Sequence, residues 1–129
     1  MDREPSTPRV VIGNLEPIMA LGLTAVLTEA GIRVVGRERV PARVVDEASR
    51  LLPDVVVLDR DDGGSRALCA RVRRVSPTTK VILWARDESL LEVLDPGSDA
   101  ARLVWATVPD DLRREVAAGR QPLKSPSEE

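Results

Sequence analysis

Histidine, tyrosine and phenylalanine do not occur in this chain of 129 residues. Without histidine there is no Ser-His or Cys-His nucleophilic pair, no zinc set of the Cys/His kind, and no imidazole for the cobalamin modules of similar α/β topology. The single cysteine, Cys69, excludes an internal disulfide and suggests a reducing compartment. Lysine is nearly as scarce: Lys80 and Lys124 are the only two, and arginine carries the rest of the positive charge. Aromatics reduce to Trp84 and Trp105. Gly13 stands alone after the first apolar burst, so there is no Gly-rich phosphate loop. The opening MDREPSTP is too polar for a signal peptide, and no apolar run reaches membrane-spanning length. A net charge of −2 advertises neither nucleic acid nor an anionic membrane. These absences predict a cytoplasmic protein with no membrane partner and no direct nucleic-acid binding.

What is present is a regular alternation of apolar bursts and amphipathic stretches between two polar tails, residues 1–8 and 120–129. RVVIG from Arg9 reads as a strand, and Pro17 stands where a helix begins. Ile18, Leu21, Gly22 and Ala25, together with Met19, Leu23, Val26 and Leu27, give that helix an apolar spread wide enough for sheet packing, and Gly31 stops it. IRVVG is a second strand. Pro41 opens a helix whose Val44, Val45, Ala48, Leu51 and Leu52 form the cleanest amphipathic face in the chain. DVVVLD and KVILWA are too continuously apolar for half-exposed strands and read as central parallel strands covered on both faces. Between them Ser65 caps a helix carrying Leu68, Val72 and Val75. A weaker helix is expected over Glu88 to Leu94, broken by Asp95-Pro96-Gly97, before a last strand ARLVWA. Pro109 opens a final helix with Asp110 and Asp111 in its first turn and Arg113 and Arg114 further on, an order that suits the helix dipole.

Five β-α units predict one α/β domain over residues 9–119, a doubly wound five-stranded parallel sheet with helices on both faces. In such sheets the chemistry collects at the carboxyl ends of the strands. That rule selects five loops: Gly13–Glu16, Gly36–Val40, Asp59–Gly64, Ala85–Asp87 and Trp105–Val108.

Three segments, RVVIGNLEPIMALGLTAVL, PDVVVLD and PTTKVILWA, with VPDDLRREVAAG as the last helix, resemble the receiver domains of bacterial response regulators, most closely those of the NarL/FixJ type. The resemblance implies a CheY-like (flavodoxin-like) sheet of order 2-1-3-4-5. It also implies a phosphoacceptor aspartate ending the third strand, which is Asp59, and an acidic pair after the first strand that holds Mg²⁺. A Ser/Thr after the fourth strand and a Lys after the fifth would sense the phosphoryl group. Matched by position, the acidic pair falls on Asn14 and Leu15, the Ser/Thr on Trp84 and the Lys on Trp105. Mg²⁺ normally takes carboxylate oxygens from the protein, and phosphoryl transfer depends on positioned cations, so these replacements point to a degenerate pseudo-receiver with no cofactor. Glu16, Asp61 and Asp62 are the rescue acids if a rearranged Mg²⁺ site survives.

Two readings of Asp59 stand side by side: a family landmark, or a strand-end carboxylate that accepts hydrogen bonds from nearby N–H groups. Trp84 and Trp105 are either ordinary packing, or two rings at neighbouring strand ends that plug the old pocket and lock one conformation. Cys69 reads as a small core residue, and the arginines at 71, 73, 74, 113, 114 and 120 as solvated helix faces. The resulting expectation is a non-enzymatic signalling module in bacterial signal transduction or transcription regulation. It would act through phosphorylation-independent contacts with a protein partner or a second copy via the region 86–118, with a DNA-binding domain in cis if the chain is cut from a longer regulator. The alternatives are phosphoacceptance at Asp59 with a rearranged metal site, and a small ligand in the emptied pocket.

Overall fold

The computed structural model describes residues 7–85, 90–105 and 109–120. The elements run β1 (Arg9–Gly13), α1 (Pro17–Glu29), β2 (Arg33–Glu38), α2 (Pro41–Leu51), β3 (Val55–Asp59), α3 (Ser65–Val75), β4 (Lys80–Ala85), β5 (Leu90–Leu94), β6 (Arg102–Trp105) and α4 (Pro109–Ala117). The six strands form one sheet of order β2-β1-β3-β4-β5-β6. Its first half matches the expectation. β1 lies between β2 and β3, and β3 pairs with β4, all parallel, with Val10 opposite Val55 and Asp59 opposite Trp84.

The second half departs from it. Leu90–Leu94, expected as part of a helix, is a strand antiparallel to β4, and β6 returns antiparallel to β5. The sheet is therefore six-stranded and mixed, not five-stranded and parallel. The reason is chain length: four residues separate Ala85 from Leu90, whereas a parallel crossover needs a dozen or more. Asp95-Pro96-Gly97 does not merely break a helix. Gly97 has φ of +80° and the Ser98 N–H reaches the Asp95 carbonyl at 3.1 Å, the geometry of a Pro-Gly turn of type II. Residues 88 and 89 of the expected helix, the two polar tails apart from residues 7, 8 and 120, and most of the Ala85–Asp87 and Trp105–Val108 loops lie outside the described residues.

Two apolar layers hold the helices to the sheet. On one face Leu23 and Leu27 of α1 and Leu112 and Val116 of α4 pack with Val10, Ile12, Val57, Ile82, Leu91 and Val93. On the other, Val44 and Ala48 of α2 and Leu68, Cys69 and Val72 of α3 pack with Val11, Val56, Leu58, Val81 and Leu83. Cys69 is thus a core residue, and burial pushes its thiol pKa up. Gly31 ends α1 as expected, at φ +81°. The Ile32 N–H bonds the Leu27 carbonyl at 2.9 Å and the Gly31 N–H the Thr28 carbonyl at 3.0 Å, with Leu27 and Ile32 both in the core. Ser65 is the first residue of α3 rather than its cap. Gly64 occupies the cap position and no side chain caps that helix. Among the described residues no helix is long and apolar enough to cross a membrane.

Lys80, at the start of β4, has no exposed side chain, and Glu115 of α4 is 1% exposed. The Lys80 Nζ donates to Glu115 Oε2 at 2.8 Å and to the Glu115 carbonyl at 3.1 Å. Arg102 also reaches Oε2 at 2.8 Å, and it holds both oxygens of Asp95 at 2.6 and 3.0 Å. The Asp95 hydrogen bonds lead the interactions that drive the Arg102 pKa above its ordinary value. The chain thus ties β4, α4 and the β5–β6 hairpin together beneath the apolar layer. Glu115→Ala takes the buried carboxylate away from the Lys80 ammonium, so chemical denaturation should register a loss of about 3–5 kcal/mol. Replacing the pair with Lys80→Met and Glu115→Leu should recover most of that loss.

Candidate functional site

Gly13 ends β1 where a Cβ would lie 2.9 Å from the side chains of Leu58 and Val44, so only glycine fits there. The next residue, Asn14, takes φ of +41°, a left-handed conformation that asparagine tolerates better than most residues. Its N–H continues the β1–β2 ladder to the Glu38 carbonyl at 2.9 Å. That backbone turn aims the side chain across the sheet at the end of β3. There the Asn14 Oδ1 accepts the Asp59 N–H at 2.9 Å, while Nδ2 donates to Ser65 Oγ at 2.9 Å and to Asp62 Oδ2 at 3.0 Å. Ser65 in turn donates to the Asp59 carbonyl.

Asp59 is 8% exposed. Its Oδ1 accepts the Asp61 N–H at 2.9 Å, an Asx turn that shapes the loop into α3, and the Asp62 N–H reaches the Asp59 carbonyl at 3.3 Å. The structure therefore brings together Asn14, Asp59, Asp61 and Asp62 and adds Ser65. Sequence reasoning had made Ser65 a helix cap. A serine six residues after a strand end is also placed to touch that end, and nothing in a linear pattern separates the two roles.

The other expected positions fall elsewhere. Leu15 is buried in the apolar layer beneath α1. Glu16 is exposed at the start of α1, lining a shallow groove with Pro17, Ile18 and Arg39. Trp84 is half-buried against the layer shared with Leu91 and Val104, and its carbonyl accepts the Arg60 N–H at 3.0 Å. Trp105 pairs with Leu90 while Trp84 pairs with Leu91, so β5 stands between the two tryptophans. They do not end neighbouring strands; the expected two-ring plug turns on the Trp105 side chain, which lies outside the described residues. Among the described residues no group of three or more acids or cysteines is placed to hold a metal ion.

β5 changes the electrostatics of this end of the sheet. Its Glu92 receives Arg60, the residue after Asp59, at 2.9 Å, and Arg66 of α3 in a two-pronged contact at 2.9 and 3.1 Å. The guanidinium nearest in sequence to Asp59 is thereby turned toward an internal carboxylate. Burial alone would push the Glu92 carboxyl pKa up, but the hydrogen bonds and charges of Arg66 and Arg60 outweigh it and hold it below the ordinary glutamate range.

No family model matches the chain, and no curated protein sequence matches it. Its chemistry is therefore read from the geometry alone. The arrangement is a hydrogen-bonded clasp in which one amide side chain joins the β1 end to the loop between β3 and α3. A cavity of about 280 Å³ lies between the start of α1 and the end of β2, lined by Ile12, Leu15, Ala20 and Arg37 among others.

Asn14→Ala should lower the unfolding free energy by about 2–4 kcal/mol in denaturant titration. It strands the Asp59 N–H and places an alanine in a left-handed conformation. The Glu92 cluster predicts a pH effect. Folded Glu92 holds its proton less tightly than the unfolded chain does, so its stabilisation is complete above the unfolded value of about 4.3 and is lost as pH falls through the lower folded value. Glu92→Gln should cost about 1–2 kcal/mol at neutral pH and flatten the acid limb of the stability profile below about pH 4.5.

Proposed function

We propose that this chain is a regulatory module of the receiver kind whose strand-end site has left phosphoryl chemistry, and which acts by protein contact in bacterial signal transduction or transcription regulation. Support for a CheY-like origin comes from the order β2-β1-β3-β4 and from a carboxylate at the tip of the third strand. The antiparallel β5 sets the domain apart from the five-stranded parallel form.

The observation that carries the reading is the Asn14 amide. Mg²⁺ normally takes one or two protein carboxylates together with other oxygens. Here the β1 end offers a neutral amide whose oxygen already serves the Asp59 N–H and whose nitrogen serves Ser65 and Asp62. Leu15, the other matching position, is in the core. Arg60 is engaged by Glu92. Phosphoryl transfer to a carboxylate draws its rate from metal and cation positioned in advance, and among the described residues no group of three or more acids or cysteines is placed to hold that metal. A domain of this shape without that chemistry transmits a signal by being bound, to a protein partner or to a DNA-binding domain in cis.

The test is incubation with Mg²⁺ and a small phosphodonor, followed by tryptophan fluorescence and intact mass. Trp84 lies opposite Asp59 in the sheet and reports on the site. The expected result is no saturable Mg²⁺-dependent change and no added phosphoryl group. A saturable change that vanishes in Asp59→Asn overturns the reading in favour of a working phosphoacceptor.

A further inference from the structure

We infer that α1 is the contact surface of a two-fold homodimer, in which α1 packs antiparallel on α1 of a second copy. This deepens the contact-module reading by naming the partner, and it rests on features that reading does not use.

From Pro17 to Thr28 the helix carries no charged residue, in a chain that is 31% charged. Only Leu23 and Leu27 of α1 are buried against the sheet. Ile18 is 81% exposed and Leu21 62% exposed, and Gly22 and Ala25 continue the same line in the open. By contrast, Leu103 is the one exposed large apolar side chain among the described residues of the region 86–118, where a contact was expected.

The order of sizes along the stripe selects the occupant. It reads large, large, small, small: Ile18, Leu21, Gly22, Ala25. A two-fold axis passing between Leu21 and Gly22 sets Leu21 of each copy against Gly22 of the other, and Ile18 against Ala25. Every large side chain then meets a small one, as an isologous contact requires.

Gly22 supports this from a second direction. A Cβ there would meet nothing within 4 Å, so nothing inside the fold calls for glycine in mid-helix, where it is the poorest choice after proline. At a helix crossing, the missing Cβ lets the two axes approach.

Charge completes the match. Glu29 sits in the last turn of α1, the wrong end for an acid, and makes no ion pair among the described residues. The antiparallel arrangement brings it to the start of the other copy's α1. There Arg39, exposed and also without an ion pair among the described residues, lines the grooves beside Pro17 and Ile18. Glu16 and Glu38 share that rim, so the pairing rests on Arg39 in particular. The net charge of −2 opposes self-association little. A stripe on a helix of 13 residues covers less than the ~800 Å² per partner of a standard interface, so the dimer is weak, with a dissociation constant on the order of 10–100 µM.

Sedimentation equilibrium of the full chain from about 10 to about 500 µM tests this. The expected result is a monomer–dimer equilibrium that Ile18→Glu abolishes. Glu29→Arg or Arg39→Glu alone should each weaken it by roughly tenfold, and the two together should restore it. Gly22→Ala separates association from folding: it should raise the thermal midpoint by about 2–5 °C while weakening the dimer roughly fivefold or more. A chain monomeric throughout, a dimer indifferent to Ile18→Glu or Gly22→Ala, or a double charge swap that fails to restore association overturns the proposal. The phosphodonor response is read on the same samples, so loss of the dimer and a working Asp59 are distinguishable outcomes.

Discussion

Four residues between β4 and β5 are too few to carry the chain over the face of a sheet and back to a parallel position, so the chain reverses beside β4. From that reversal follows the rest of the C-terminal half. β5 occupies the place beside β4, and β6 is displaced one position outward. The Asp95 turn closes the hairpin, and Arg102 at its base meets Asp95 across the turn and Glu115 from α4. The buried Lys80 then finds its counter-charge on the helix that follows the hairpin. A buried ion pair of this kind contributes little net stability compared with apolar packing, but it is costly to break, and so it fixes which surface of α4 meets the sheet.

The same reversal alters the strand-end site. Glu92 enters on β5 and gathers Arg60, from the loop after β3, and Arg66 of α3. On the other side of Asp59, the left-handed turn at Asn14 directs a neutral amide to the end of β3. Asp59 ends β3 and accepts the Asp61 N–H through its carboxylate. Both effects tie the loop after β3 to its surroundings, to the end of β1 on one side and to β5 on the other.

Much of this was legible in the residues. The β-branched runs of β1, β3 and β4, the proline starts of α1, α2 and α4, and the glycine stop at Gly31 are local signals with local causes, and each element formed near its expected place. Leu90–Leu94 was misread because five residues with three buried apolar side chains carry no period that separates a helix turn from a buried strand. The link from KVILWA to ARLVWA is long enough for a helical crossover, so its length gave no warning either. Within the site, Asp59, Asn14, Asp61 and Asp62 were identified in advance, whereas Ser65, Glu92 and the arginines around it were not. The Ser65 contact with Asn14 spans 51 positions and the Arg66 contact with Glu92 spans 26, although Ser65 also meets the Asp59 carbonyl six residues away.

By itself the sequence determined the class of the domain, the parallel core with its covering helices, and the absence of every chemistry that needs histidine. These depend on composition, short-range periodicity and the conformational limits of proline and glycine. Only the tertiary structure decided that the sheet turns back on itself, that Trp84 and Trp105 stand apart, and that half of the apolar spread of α1 faces outward. The physical reason is that pairing direction and burial are properties of two surfaces meeting, and neither surface knows its partner until the chain has closed.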